Sequence, residues 1–231
     1  MPVISPYIAR WSGEHINARG LRVAGGSGDR RARLVYRDEQ PADRDGQGVL
    51  WLRCPDTPQA GRLQYGRIHP RRQRDALWRM VCQVCAGEPD EDADGLLWLL
   101  PGAPERFSSG RPAVTAYPPI CARCLHDAVR MCPDLRGRYA VLRVREVRLH
   151  GVLADPYSIG PDGRLTRARP SGRRPPAFTY DDPQLPMCVA IQQLIALDQL
   201  TVVDGPGAIP GTRLAESPNR KERSCQLRDH E

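Results

Sequence analysis

Lysine is almost absent from this chain of 231 residues: Lys221 is the only one, yet the formal net charge is +7. Arginine therefore supplies the positive charge, and its planar guanidinium suits phosphate and carboxylate groups. A glycine-rich phosphate loop with its lysine does not occur, nor does a nucleophile elbow, so two common catalytic motifs are missing. The pI near 9.2 is compatible with nucleic-acid binding, and also with a basic protein that binds no nucleic acid.

Apolar residues are also scarce. They make up 40% of the chain, below the usual ~45–50%, and they are accompanied by 21 glycines and 23 prolines. The predicted core is therefore small for the length of the chain. Metal cross-linking commonly compensates for an undersized core.

Long hydrophobic segments are missing as well. No apolar run approaches the ~18 residues of a membrane span, and residues 1–7 lack the basic and apolar regions of a signal peptide. We therefore expect no membrane partner and a cytoplasmic location, where cysteines stay reduced. In that setting a Cys-x-x-Cys pair indicates a metal site or a redox site rather than a disulfide.

The patterns predict an α+β protein in which a small cysteine-bearing unit is embedded in a mixed domain with short strands and a C-terminal helix. Five segments are expected: a poorly patterned N-terminal segment (1–30), an α+β domain (31–158) that contains the cysteine-bearing unit (81–133), a basic linker or loop (159–180), a C-terminal helix and strand docked on the core (181–204), and a disordered tail (205–231).

Short strands are predicted where apolar residues lie between turn signals. They are Arg33–Arg37, Val49–Arg53, Gly95–Leu100 and Ala113–Tyr117. The segment Tyr139–Leu153 is predicted to be a strand pair or one long bent strand. Two of these segments share a five-residue pattern, Gly-Val-Leu-Trp-Leu from Gly48 and Gly-Leu-Leu-Trp-Leu from Gly95, which is too short to indicate a repeat.

Helices are predicted to begin near Pro70, which suits a first helical turn, and at Cys121. A third helix is predicted over Leu185–Leu200, because its apolar residues recur at helical spacing. Those residues are Met187, Ile191, Leu194, Ile195 and Leu197.

Four cysteines form two matched pairs. Cys82 and Cys85 are separated by two residues, as are Cys121 and Cys124, and 35 residues lie between the pairs. Two intervening residues let both sulfurs of a pair face one ion, and structural zinc takes four such ligands in a tetrahedron. We therefore predict one structural Zn²⁺ bound by these four residues. Because four thiolates close its coordination sphere, we expect no catalysis at the zinc.

The order of a knuckle, a predicted hairpin and a helix with the second cysteine pair resembles the treble-clef zinc fingers. The resemblance covers about 81–133 and implies a scaffold for binding, since this superfamily consists of binding modules and some nucleases. The whole chain also resembles actinobacterial zinc-finger proteins with a similar basic segment before the knuckle, and that resemblance implies no activity.

Other chemistry is open to the same residues. Each pair can be incidental or redox-active, and four thiolates can bind an iron–sulfur cluster, although this spacing departs from the common ferredoxin patterns. Cys132 follows Cys124 by eight residues, on a similar side of the predicted helix. It is therefore either an alternative ligand or a buried free thiol.

Arginine is concentrated in two regions. Residues 60–79 contain six arginines and one acidic residue, residues 134–175 contain ten arginines and four acidic residues, and residues 86–110 contain six acidic residues and one arginine. We expect phosphate contacts from a basic helix in the first region and a flexible patch in the second. The candidates are Arg67, Arg71, Arg72, Arg74, Arg79, Arg164, Arg167, Arg169, Arg173 and Arg174.

The sequence therefore predicts a zinc-stabilised, regulatory protein that binds nucleic acid, with DNA expected. One alternative is a scaffold or adaptor that binds an acidic protein partner through the same arginines. A second alternative is an atypical HNH-like nuclease.

His69 is the one catalytic candidate. A histidine base beside phosphate-binding arginines would suit phosphodiester cleavage, whereas a helix-capping or packing role is the competing interpretation. Residues 86–120 contain no histidine, although treble-clef nucleases use a histidine from their hairpin. His126 is interpreted as a surface residue. We therefore favour binding over catalysis.

Overall fold

Strands make up most of the regular secondary structure in the computed structural model, which describes residues 5–25, 32–132, 135, 138–168 and 174–203. Within these residues the strands are β1 (Ala9–Trp11), β2 (Leu21–Ala24), β3 (Arg33–Tyr36), β4 (Leu63–Ile68), β5 (Glu91–Asp92), β6 (Gly95–Pro101), β7 (Ala113–Thr115), β8 (Tyr139–Ile159), β9 (Leu165–Arg167), β10 (Ala177–Thr179) and β11 (Cys188–Val202). The helices are α1 (Pro70–Trp78) and α2 (Ala122–Met131), with short 3-10 helices at Pro41–Asp43, Pro104–Phe107 and Leu185–Met187. The predicted α+β class is confirmed.

Some predictions lie outside the described residues. They include the tail at 205–231, parts of the N-terminal segment, and the candidate arginines Arg169 and Arg173. Among the helices that are described, neither has the length and apolar character needed to span a membrane.

The chain divides into two compact units. Among the described residues, the first contains 5–10, 63–132, 135, 138–149 and 195–203, and the second contains 11–25, 32–62, 150–168 and 174–194. Each unit is thus built from separate stretches of chain, and β8 and β11 each contribute residues to both.

The first unit is organised around β6. This strand pairs antiparallel with β8, with Trp98 opposite Leu142, and its first residue ends the tight turn from β5. Gly95 has φ +109°, and a Cβ there would lie 2.1 Å from the Val144 carbonyl oxygen, so only glycine fits. Trp98 is 0% exposed, and its indole N–H donates to the Tyr117 carbonyl at 2.8 Å. The core of this unit therefore forms on β6.

The second unit is built on the later half of β8 and the earlier half of β11. Strand β10 pairs with β8, with Phe178 opposite Val152, and β9 pairs further along β8. Strands β2 and β3 pair antiparallel. The predicted strand at Val49–Arg53 forms isolated bridges instead, such as Trp51 with Ala190, although Val49–Leu52 are buried.

Two predictions for the long C-terminal segments have different outcomes. Tyr139–Leu153 lies within the single 21-residue strand β8, one of the two forms predicted. The helix predicted over Leu185–Leu200 is wrong, because all but its first turn belongs to β11. An apolar run that is buried along most of its length fits the residue spacing of a helix and also that of a strand. Pairing with a distant strand then determines which of the two conformations forms. In the first unit, Ala196 of β11 lies opposite Val114 of β7.

Candidate metal centre

The four cysteines predicted as ligands come together in the first unit. Their Sγ atoms all lie within 4.8 Å of one another, and the Sγ atoms of Cys85 and Cys121 are 3.8 Å apart. A tetrahedron with metal–sulfur bonds of about 2.3 Å has edges of about 3.8 Å. Cys82, Cys85, Cys121 and Cys124 are therefore spaced to bind one metal ion, and four thiolates are a typical ligand set for structural zinc.

The first pair lies on a tight turn that follows α1. The Cys82 N–H donates to the Gly87 carbonyl at 2.8 Å, and the Ala86 N–H donates to the Cys82 carbonyl at 2.9 Å. Ala86 adopts φ +56° to complete the turn. The Val84 N–H lies 3.4 Å from the Cys82 sulfur, and a backbone donor in this position stabilises a thiolate. This turn is the predicted knuckle.

The second pair lies at the N-terminus of α2. Cys121 is its N-terminal capping residue, and its carbonyl accepts from the N–H groups of Cys124 and Leu125, both at 3.1 Å. The partial positive charge at a helix N-terminus favours the thiolate form of both cysteines. Leu125 is fully buried beside Ile120 and fixes the helix against the core.

Backbone hydrogen bonds connect the two cysteine pairs. The Gln83 N–H donates to the Pro119 carbonyl at 2.9 Å, and its side-chain amide donates to the Pro118 carbonyl at 3.1 Å. On the other side, the Ile120 N–H donates to the Leu97 carbonyl of β6 at 3.0 Å. The chain that leads to Cys121 is thus bound both to the knuckle and to the sheet, which holds the two pairs in place.

The four sulfurs strongly affect one another's protonation. Cys82 is buried, Cys85 is exposed, and the second pair is half-buried. Hydrogen bonds from Cys121 and Cys124 lower the pKa of the Cys82 thiol to about 2, while hydrogen bonding with Cys121 and Cys82 raises the pKa of Cys124. Four adjacent thiolates repel one another, and a divalent cation offsets that repulsion. The donor set therefore fits a metal ion.

The segment between the two pairs differs from the predicted hairpin. Among the described strands, β6 pairs with β5 and β8, while β7 pairs with β11. The hairpin that does form is the short one in which Glu91 lies opposite Leu96. The predicted strands at Gly95–Leu100 and Ala113–Tyr117 are present, but they are not partners.

Arginines from β8 neutralise the acidic loop after the knuckle. Arg143, which is buried, lies 2.5 Å from a carboxylate oxygen of Asp90 and 3.0 Å from one of Asp92. Arg145 pairs with Asp94 at 2.6 Å. No local sequence pattern indicates these pairs, because the partners lie about fifty residues apart in the chain. The acidic loop and the arginines of β8 thus offset each other's charge.

The candidate arginines near α1 occupy different environments. Arg67 and Arg71 are exposed, with no ion-pair partner among the described residues. Arg79 is exposed and pairs with Asp75 at 3.1 Å, and Arg74 is half-buried.

The structure corrects the prediction that Arg72 contacts phosphate. It is 3% exposed, and its Nη2 donates to the Ala9 carbonyl at 2.7 Å. Its guanidinium therefore supports the fold of the first unit and does not face solvent, where a phosphate would bind. The sequence predicts the same phosphate contact for Arg72 as for the other arginines of this short basic segment, because burial is not visible in a run of arginines.

The second group of candidates belongs to the second unit. Arg164 is exposed beside Asp162 at 3.7 Å, Arg167 forms an ion pair with Asp155, and Arg174 is exposed. Two of these three arginines thus already have an acidic partner.

His69 caps the N-terminus of α1. The imidazole Nδ1 of His69 accepts a hydrogen bond from the Arg72 backbone N–H at 3.3 Å. The backbone N–H of His69 donates to the Ile8 carbonyl at 2.8 Å, and the residue is 0% exposed. This is the capping arrangement that the sequence offered as the competing interpretation.

One basic surface was missed by sequence reasoning. Arg123, His126 and Arg130 are all exposed on α2, at positions three and four residues apart that fall on one side of a helix. The helical spacing of these three residues is the sequence signal that could have identified this surface.

No protein-family model matches this chain, and neither a curated protein nor a solved structure matches it. The candidate site is therefore assigned from its own residues.

Proposed function

We propose that the first unit is a zinc-stabilised nucleic-acid-binding module whose contacts come from exposed arginines of β4 and α1. The observation that supports this best is the exposure of Arg67 and Arg71, two arginines without an acidic partner among the described residues. Guanidinium groups in this state are available to phosphate oxygens, which they bind through paired N–H donors.

The zinc ion has a structural role in this proposal. The knuckle and the cysteine-bearing helix are parts of a treble clef, and we assign the finger to that type. Zn²⁺ would bind Cys82, Cys85, Cys121 and Cys124 and fix α2 beside the turn that follows α1. With four thiolate ligands it supplies no open position for substrate.

The surrounding charge also favours a polyanionic partner. The acidic loop would repel phosphates, but its Asp90, Asp92 and Asp94 carboxylates are paired with arginines of β8. Arg123 and Arg130, which are exposed on α2 together with His126, add positive charge to the same unit. An acidic protein partner would use the same arginines, whereas the nuclease alternative lacks an accessible histidine at position 69.

Oligonucleotide binding with matched charge variants tests the proposal. Labelled DNA and RNA, single-stranded and duplex, are titrated with the full chain and followed by fluorescence anisotropy over a range of salt concentrations. We expect the variant Arg67→Gln/Arg71→Gln to bind about tenfold more weakly and to reduce the duplex salt slope by about 1.8, which corresponds to two lost phosphate contacts.

The control is Arg19→Gln/Arg37→Gln, which removes the same charge from exposed positions of the second unit. We expect its affinity to stay close to that of the unmodified chain. Absence of binding to every oligonucleotide would overturn the proposal. Equal losses in the two double variants would show that net charge, rather than the surface at α1, determines binding.

A further inference from the structure

The end of α1 presents a tryptophan to solvent. Trp78 is 63% exposed, whereas Trp98 is 0% and Trp51 is 4% exposed, and Trp11 is half-buried. It is the most exposed large apolar side chain among the described residues. An indole so exposed does not contribute its burial to folding, and exposed aromatic residues of this kind are common at binding surfaces.

Helix geometry places this indole with the proposed phosphate contacts. Trp78 follows Arg71 by seven positions, which is two turns of an α-helix, so the two residues lie about 10 Å apart along its axis and on the same face. The opposite side of the helix is filled by Gln73, Ala76 and Leu77, all of which are buried. The exposed face of α1 therefore combines a basic group at one end with an aromatic surface at the other.

The acidic residue on this face does not oppose an anion strongly. Asp75 accepts a hydrogen bond from the Tyr7 hydroxyl at 2.8 Å and pairs with Arg79 at 3.1 Å. Its charge is thus already offset from two directions. Arg79 follows Trp78 directly, so the ion pair that offsets Asp75 lies at the same end of the helix as the indole.

Arginine beside an exposed aromatic ring suits one form of nucleic acid better than the other. In a duplex the faces of the bases are stacked on one another, so an indole at the surface meets only phosphates and base edges. In a single strand the bases can turn outward and stack on an aromatic side chain, while arginines contact the backbone. Stacking depends on the π-face that every base has, so it requires no particular sequence.

We propose that Trp78 is a stacking platform for unpaired bases and that the α1 face binds single-stranded nucleic acid in preference to duplex. This inference rests on the proposed function and specifies its substrate class. Neither stacking nor phosphate pairing involves the ribose 2′-hydroxyl, which is the group that distinguishes RNA from DNA. Single strands of either sugar are therefore expected to bind with similar affinity.

Tryptophan fluorescence and matched variants test this inference. The full chain is titrated with a mixed-sequence 12-mer as single-stranded DNA, as single-stranded RNA and as duplex DNA. We expect single strands, but not the duplex, to quench the emission of Trp78. Trp78→Leu is expected to weaken single-strand binding about 5- to 100-fold while duplex binding changes little. Trp78→Phe, which keeps an aromatic face, should retain most of the affinity.

Val114→Ala is the control, because Val114 is also an exposed apolar residue of the first unit. We expect it to change neither quenching nor affinity, and thermal unfolding should show that all three variants stay folded. Unchanged single-strand binding in Trp78→Leu, or tighter binding of the duplex, would overturn this inference, as would a preference of tenfold or more for one sugar.

The two proposals fail in different ways. If Trp78 is not a platform, binding still depends on Arg67 and Arg71, and only the preference for single strands is lost. If the chain binds none of the oligonucleotides but binds polyglutamate through Trp78 and the arginines, its partner is an acidic protein and both proposals are wrong.

Discussion

The two units place nearly the same five residues in different surroundings. In the first unit Gly-Leu-Leu-Trp-Leu begins β6, where Leu97 and Leu99 pack in the apolar cluster that includes Cys82. In the second unit Gly-Val-Leu-Trp-Leu forms isolated bridges, and the Trp51 indole N–H donates to Asp45 at 2.9 Å. The first segment thus packs in the apolar cluster that includes a cysteine of the candidate metal centre. The second is held by isolated backbone bridges and by the hydrogen bond from Trp51 to Asp45.

The stabilising interactions of the units differ accordingly. The four-cysteine cluster belongs to the first unit. In the second, Arg53 pairs with Asp43 at 2.5 Å and Asp38 at 2.9 Å and lies 4.0 Å from the centre of the Tyr36 ring. Both units contain arginine–carboxylate pairs, and the four-cysteine cluster that could hold a metal ion distinguishes the first unit from the second.

The largest expected effect is the loss of the metal site from the first unit. Cys124→Ser removes one ligand, and structural zinc contributes about 10–16 kcal/mol to the folding of finger peptides. We expect loss of metal and rapid hydrogen exchange in the knuckle and α2. Amides of the β2–β3 pair in the second unit should stay protected, as measured by hydrogen exchange with mass spectrometry.

Cys132→Ser is the matched control for this prediction. Cys132 is half-buried at the end of α2 and is not a member of the described four-sulfur cluster. We expect this variant to keep its metal and its protection pattern. Loss of metal from Cys132→Ser, or full protection of the knuckle in Cys124→Ser, would contradict the assignment of ligands.

A smaller effect, confined to the second unit, is expected for Arg53→Gln. The side-chain hydrogen bond from Arg53 lowers the pKa of Asp43, so this pair stabilises the fold when the carboxylate is ionised. That stabilisation is present at neutral pH and is lost as the pH falls through the lowered pKa. We expect Arg53→Gln to reduce the free energy of unfolding by about 1–2 kcal/mol at pH 7.

The pH dependence distinguishes this ion pair from simple packing. The difference between Arg53→Gln and the unmodified chain should shrink once the pH is below the ordinary aspartate pKa of about 3.9. Urea unfolding at neutral and acidic pH, followed by a probe in the second unit, measures this difference in the free energy of unfolding. Arg37→Gln, an exposed neighbour, is expected to have little effect. If Arg53→Gln lowers the free energy of unfolding equally at both pH values, Arg53 stabilises the unit through its contact with the Tyr36 ring and not through the ion pair.

The sequence predicted features that depend on neighbouring residues. The cysteine spacing identified the four clustered sulfurs because each pair is formed by a local turn. Pro70 indicated the start of α1, and the second cysteine pair marked the start of α2. In each case the signal and the structure lie within a few residues of each other.

Features that depend on distant residues were not predictable in this way. The segment of β11 has apolar residues at helical spacing, but its pairing with a strand about eighty residues earlier makes it extended. Arg72 resembles its neighbouring arginines in sequence, but it is buried and donates to the carbonyl of Ala9. The pairing of Arg143 with Asp90 and Asp92 likewise required the register of β6 and β8.

The metal content and coordination of the full chain test the central claim most directly. Elemental analysis combined with X-ray absorption at the metal edge gives the stoichiometry, the ligand atoms and the bond lengths. We predict one zinc per chain with four sulfur ligands at about 2.3 Å. A folded first unit without metal, an iron–sulfur signature, or nitrogen or oxygen ligands in place of sulfur would contradict the account.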